Sequence, residues 1–256
     1  MGLVETEAVI LRTYNLAEAD KIAVCLTRCC GVIRGVANGS RRLKSRFGAA
    51  LEPFTFVNLG YFEKDGHELV SIKQAEIQRS YFSLTARTEM IGWMAYLSEL
   101  VLDFAPPHEP NQNLFRLLSS SMEAAAHNAD QATAIKRYFE VWLLKLSGFM
   151  PETRACTSCR KRFDATEKGY TNTENKLQCS ACSHARGGEL SAATRDLLRA
   201  VMTASPHEFA LQWPEFDEEA RKEAGNLTCR LIESALERKP RVTESFLLQS
   251  GIRAVA

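Results

Sequence analysis

The sequence predicts an α+β chain: an N-terminal five-stranded OB-fold barrel, then an α-helical domain with an inserted four-cysteine module. Three observations predict it. The first eighty residues carry strand-like apolar runs broken by turns. From Thr88 onward the apolar residues recur at helical spacing. Two Cys-x-x-Cys pairs, Cys156-Thr157-Ser158-Cys159 and Cys179-Ser180-Ala181-Cys182, interrupt the helical half.

Residues 4–16 contain the β-rich run Ala8-Val9-Ile10-Leu11, and residues 21–27 alternate into Ile22, Val24 and Leu26. Residues 32–36 follow a turn at Gly31. Residues 54–62 and 69–77 form two more strands around the turn Lys64-Asp65-Gly66. A short helical or irregular piece, 40–50, sits between the third and fourth strands. Five strands with a helix after the third is the layout of an OB barrel, and an SH3-like barrel is the alternative. Residues 88–104 put Ile91, Met94, Leu97 and Val101 on one face, and 111–128 do the same with Leu114, Leu117, Leu118 and Met122. In 134–146, Ile135, Tyr138, Phe139, Trp142, Leu143 and Leu146 recur at helical spacing. Pro106-Pro107 separates the first two helices, and Gly148 and Pro151 end the third. Ser191 caps a helix reaching Ala204. Residues 217–238 form the last, with Leu227, Leu231 and Ile232 inward and Pro240 as its stop. The domains expected are 1–80 for the barrel, 81–151 and 189–256 for the two parts of the helical domain, and 152–188 for the cysteine module.

Composition is that of an ordinary soluble globular chain: 256 residues, 45% hydrophobic, 25% charged, net charge +1. No apolar run approaches the roughly 20 residues of a membrane helix, and no signal peptide is read. The eight cysteines are therefore expected to be reduced, and paired Cys-x-x-Cys then reads as metal binding. Cys156, Cys159, Cys179 and Cys182 have the spacing of one closed four-thiolate zinc site, which holds a fold together and leaves no position for catalysis. Two redox dithiols are the competing reading, with a thiol oxidoreductase as the function that would follow. His184 lies near enough to replace a cysteine. Cys25 reads as a small buried hydrophobe, Cys29-Cys30 as a turn with redox-sensitive character, and Cys229 as unassigned.

The near-zero net charge hides an asymmetry. Residues 21–51 hold no acid and seven bases: Lys21, Arg28, Arg34, Arg41, Arg42, Lys44 and Arg46. Local clustering is what a polyanion feels, because the Debye length is only about 8–10 Å. Arg34, Arg41, Arg42, Lys44 and Arg46 are the candidate DNA-binding residues, with Ser40 and Ser45 adding phosphate contacts. A solubilising loop is the bland alternative. The aromatics Phe47, Phe54, Phe56, Tyr61 and Phe62 read mainly as barrel core, and Trp93, Tyr138, Phe139 and Trp142 as helix packing. Lys161, Arg162, Lys168 and Lys176 read as a solvated face before they read as a nucleic-acid contact. No phosphate-binding Gly-rich loop, nucleophile elbow or His-Glu-x-x-His helix occurs, so no nucleotide cofactor, no catalytic residue and no enzymatic activity are assigned.

Four segments resemble the RecO family of bacterial recombination mediators. They are Thr6-Glu7-Ala8-Val9-Ile10-Leu11 with Glu18-Ala19-Asp20-Lys21; residues 31–42 with Lys44-Ser45-Arg46 and Leu51-Glu52-Pro53-Phe54; Leu144-Lys145-Leu146-Ser147-Gly148-Phe149-Met150-Pro151 before Cys156; and, more loosely, Thr243-Glu244-Ser245-Phe246-Leu247. The resemblance implies binding of single- and double-stranded DNA and annealing of complementary strands. It also implies work with RecR, and with RecF as a further partner, on DNA coated by single-strand-binding protein, so that RecA can load. A cytoplasmic, nucleoid-associated protein without a membrane partner follows. Arg116, Lys136 and Arg137 are the candidate bases for the acidic tail of single-strand-binding protein. The reading from another class is a zinc-containing interaction scaffold that meets DNA only incidentally.

Overall fold

The computed structural model describes residues 2–16, 18–63, 68–106, 108–183 and 188–242. The turn at Lys64-Asp65-Gly66, Pro107, His184 and the segment 243–247 lie outside the described residues. The chain forms two compact units, one of residues 1–119 joined by Val242, the other of residues 120–241.

The first unit is built on strands β1 (Leu3–Asn15), β2 (Lys21–Thr27), β3 (Gly31–Ala37), β4 (Thr55–Phe62) and β5 (Leu69–Ser80). They close into a barrel in the order β1-β2-β3-β5-β4, with β3 and β5 parallel and β4 returning to pair with β1. That order is the OB arrangement. β1 serves two neighbours: Leu3 to Val9 pair with β4, and Ala8 to Asn15 pair with β2 across a register shift between Ile10 and Arg12. The shift bends the strand and lets a five-stranded sheet close on itself.

The barrel interior is filled by Ala8, Ile10, Ala23, Cys25, Ile33, Val57, Leu59, Tyr61, Val70 and Ile72. Its open end is plugged by Phe47, Ala50 and Leu51, which belong to a single 3₁₀ turn (Gly48–Leu51) and the residue before it. The expected piece between the third and fourth strands thus narrows to one helical turn preceded by a run of tight turns. Val9, Leu11 and Phe56 point away from the interior yet are buried too. Phe56 meets Tyr81 and Phe115 edge-on at 5.6 and 6.1 Å. Both faces of this part of the sheet are covered, so Ala8-Val9-Ile10-Leu11 is apolar throughout instead of alternating.

Gly31 opens β3 at φ +68°, and a Cβ there would lie 2.2 Å from the Glu109 carbonyl oxygen. Gly31→Ala is expected to cost more than about 1 kcal/mol, since it meets both a left-handed backbone and a backbone wall. Urea denaturation checks this, and an unchanged midpoint would contradict it.

Helix α1 (Thr88–Phe104) buries Met90, Trp93, Met94, Leu97 and Val101. The buried stripe is set by Met90 and not by Ile91, which is one residue off it and 51% exposed. Helix α2 (Gln112–His127) buries Leu114, Leu117, Leu118 and Met122 and carries the chain into the second unit.

The second unit holds helices α3 (Ala132–Leu146), α4 (Ala192–Thr203), α5 (Pro206–Gln212) and α6 (Glu218–Leu236). Ser191 caps α4 by accepting the Thr194 N–H, and Asp217 caps α6 by accepting that of Ala220. Helix α5 was not expected, although Ser205-Pro206-His207-Glu208 forms a full capping box with proline at the first turn. Tyr138 and Phe209 pack 6.0 Å apart, Phe209 and Trp213 5.7 Å, and the Trp142 indole N–H donates to the Val201 carbonyl. Leu227, Leu231 and Ile232 of α6 are buried as expected, while Leu146 at the last turn of α3 is exposed. None of the helices among the described residues is long and apolar enough to cross a membrane.

Candidate metal centre and nucleic-acid interface

The four cysteines converge. Between α3 and α4, short strands β6 (Gly169–Thr171), β7 (Leu177–Gln178) and β8 (Glu189–Leu190) form a sheet in the order β7-β6-β8. β7 leads directly into Cys179. The turn carrying Cys156 and Cys159 is clasped to it, because Thr157 donates both its backbone N–H and its hydroxyl to the Leu177 carbonyl. The Gln178 side-chain amide donates to Ser158 Oγ. Arg160 takes a left-handed conformation and returns its N–H to the Cys156 carbonyl, closing the first turn. In the second turn the N–H groups of Cys182 and Ser183 both reach the Cys179 carbonyl.

As a result, the ligand atoms of Cys156, Cys159, Cys179 and Cys182 all lie within 4.8 Å of one another, and the sulfurs of Cys159 and Cys179 are 3.8 Å apart. Sulfurs about 2.3 Å from a common tetrahedral centre stand about 3.8 Å apart, so the donor set fits a metal ion in size and in chemistry. Burial pushes the Cys156 thiol up, but the backbone N–H groups of Cys159, Cys179 and Ser158 outweigh it and bring the group down to about 6. Hydrogen bonding to Cys179 and Cys159 pushes Cys182 up to about 12. Four soft donors around one point are the donor set of a closed metal site.

The rest of the module is tied to the helices. Arg195 of α4 is buried, donates to the carbonyls of Asp164 and Glu167, and sets its guanidinium 5.0 Å from the Phe163 ring centre. Of the module's own bases, Lys161 pairs with Asp164 and Glu167, Lys168 with Glu189, and Lys176 with Glu174. That is the pattern of a solvated face with its charge balanced locally.

The basic segment after β3 has a different character. The Gly39 N–H donates to Asp20 Oδ1 at 2.8 Å and the Arg41 N–H to the Ala19 carbonyl at 2.9 Å, so the β1–β2 turn pegs one end. The Arg42 and Ser45 N–H groups close successive turns onto Gly39 and Arg42. Phe47, sunk in the barrel, pegs the other end. Arg34, Arg41, Arg42, Lys44 and Arg46 are all exposed. Among the described residues, no ion pair joins Arg34, Arg42, Lys44 or Arg46 to an acid. Lys21 and Arg28 differ, pairing with Glu52 at 3.4 Å and Glu7 at 2.7 Å. Ser45 Oγ accepts the Phe47 N–H, and Ser40 Oγ is shielded from solvent. The exposed surface here is made by the bases together with the fully exposed Leu43. Asp20 enters the sequence reading only within the run Glu18-Ala19-Asp20-Lys21, yet it shapes this segment. Its signal is an acid directly before a strand.

The remaining candidates are dispersed. Arg116 is exposed on the part of α2 that belongs to the first unit. Lys136 and Arg137 lie on α3 in the second, with Lys136 3.8 Å from Glu140. Arg137 turns inward: it pairs with Glu140, bonds Thr228 and the Gly225 carbonyl of α6, and keeps only 12% of its side chain exposed. Thr228 also donates to Glu140 at 2.7 Å. Removing one partner of such a pair strands a buried charge. Arg137→Ala is therefore expected to destabilise the second unit by about 3 kcal/mol. A thermal melt that does not move would refute the packing role.

Two family models together match nearly the whole chain, one described as "Recombination protein O N terminal" over residues 1–81 and one as "Recombination protein O C terminal" over residues 87–244. Among similar bacterial proteins, one from Geobacter sulfurreducens is 33% identical over 201 residues, covering 77% of this chain and 80% of its own. One from Geobacter metallireducens is 32% identical over 182 residues, covering 71% and 73%. One from Koribacter versatilis is 29% identical over 213 residues, covering 83% and 86%. All three are described as "DNA repair protein RecO".

Proposed function

The chain belongs to the RecO family, and we propose that it acts in DNA repair and recombination as a mediator that binds single- and double-stranded DNA and anneals complementary strands. The observation that carries this reading is the basic segment: bases displayed outward on a backbone pegged at Asp20, Ala19 and Phe47. Annealing requires that two phosphate backbones be neutralised together and needs no fuel, which suits such a surface without any nucleotide site. Arg34, Arg41, Arg42, Lys44 and Arg46 are the proposed phosphate contacts. They are sequence-independent, because phosphate contacts position the strand and do not read it.

The cysteine cluster holds one structural zinc ion in this proposal, and its role is to keep the module folded. RecR, with RecF as a further partner, works with the protein on DNA coated by single-strand-binding protein, so that RecA can load. Lys136, on α3 of the second unit, is the base proposed for the acidic tail of single-strand-binding protein. The place of work is the cytoplasm, at the nucleoid, and no catalytic step is assigned.

A strand-annealing assay with complementary oligonucleotides precoated by single-strand-binding protein tests the proposal. Duplex should form faster with the protein than without it. Absence of both annealing and oligonucleotide binding at low salt would leave the scaffold reading in its place.

A further inference from the structure

The turn between β2 and β3 carries Cys29 and Cys30, which neither the metal cluster nor the basic segment uses. Adjacent residues on a strand point to opposite faces, so neighbouring cysteines do not ordinarily bring their sulfurs together. Here the chain turns at Arg28-Cys29-Cys30, and the two Sγ atoms lie 2.6 Å apart. The turn is held from several sides. The Cys30 N–H donates to Thr27 Oγ1 at 3.0 Å, and the Thr27 hydroxyl donates to the Gly31 carbonyl at 2.8 Å. The Arg28 N–H bonds the Glu7 carbonyl, and Gly31 stands against the backbone of Glu109. Cys29 is exposed and Cys30 half-buried.

We infer that Cys29 and Cys30 form a reversible modification site that reacts with a low-molecular-weight disulfide and closes to a vicinal disulfide. The Cys29 thiolate attacks one sulfur of the small disulfide, breaks its S–S bond and releases the first small thiol. Cys30 then gives up its proton to solvent and attacks the Cys29 sulfur, expelling the second small thiol. Two electrons pass from the protein dithiol to the small disulfide, and two thiols leave. The order follows from access: Cys29 faces solvent, whereas burial and the hydrogen bond with Cys29 push the Cys30 thiol up from its ordinary value. The ring that forms is strained, because Cα atoms across one peptide bond are about 3.8 Å apart, closer than disulfides prefer. Strained disulfides are easily reduced, so the modification reverses when small thiols return.

Trypsin isolates the pair, since cleavage after Arg28 and Arg34 yields a peptide, 29–34, with these two cysteines and no other. The full-length protein is treated with glutathione disulfide, its remaining thiols are alkylated and peptide 29–34 is weighed. The expected result is loss of two hydrogens and of both alkylatable thiols, reversed by dithiothreitol. Cys29→Ser should abolish the shift, and Cys30→Ser should stop at a glutathione adduct on Cys29. A peptide that keeps both thiols would overturn the inference. So would a wild-type adduct that never closes, or a Cys30→Ser protein that takes up no glutathione.

Discussion

Cys156→Ser is expected to lose the bound metal and unfold the module between α3 and α4, while leaving the barrel folded. Each cysteine supplies one donor to a closed set, and beyond the ties of Arg195 to Asp164, Glu167 and Phe163 the module has little core of its own. Its strands are two or three residues long. Leu177 and Cys179 are among its few fully covered side chains. Metal binding in comparable small modules contributes about 10–16 kcal/mol of apparent folding free energy at neutral pH, much more than so small a core can supply. Elemental analysis should show one zinc per chain in the wild-type protein and a near-complete loss in the variant. Limited proteolysis should then cut within 152–188 first. Unchanged metal content would show that three sulfurs suffice. If a well-folded Cys156→Ser, Cys159→Ser protein instead lost DNA binding outright, the separation of metal support from DNA contact would be wrong.

Reversing the charge of Arg41, Arg42, Lys44 and Arg46 together should weaken DNA binding about a thousandfold at 0.1 M salt, on every sequence alike. Each lost phosphate contact lowers the salt slope by about 0.7–0.9, so four contacts account for about 3 units of slope. At 0.1 M salt that change in slope is the thousandfold loss. The side chains are exposed, so the fold should survive, and an unchanged thermal melt is the control. A titration series across salt concentrations measures slope and affinity together. If both stayed at wild-type values, the DNA surface would have to lie elsewhere on the chain. Arg34 on β3 provides a graded comparison, because its loss alone should lower the slope by about one contact.

The metal centre was the most legible part of the sequence. Its donors come in local pairs, and a two-residue gap fixes both sulfurs of a pair within one turn. The strands were nearly as clear, since all five start within one residue of the expected positions. Their closure was not written in the pattern in the same way. Ala8 to Leu11 are buried on both faces, which removes the alternation that would separate barrel interior from helix-covered surface. The shift from Ile91 to Met90 has the same origin: both are apolar, and only packing decides which of them faces in. Helix α5 could have been found from its capping box, whereas β6, β7 and β8 are too short to carry a period. Charge misled in one respect. An acid-free stretch is a statement about neighbours in sequence, but Glu7 sits across the β1–β2 ladder from Arg28 and cancels it.

The double duty of β1 has a consequence for how the protein is made. Leu3 to Glu7 pair with β4 alone, so they stay unpaired until Asn58 to Phe62 have left the ribosome. Every contact between β1 and β4 is therefore a long-range one, and such contacts slow folding because a loop must close before they can form. Until then the nascent chain presents Leu3 to Val9 as an open strand edge, the kind of surface that aggregates. Glu5 and Glu7, the charges within that edge, are well placed to keep it solvated while it waits.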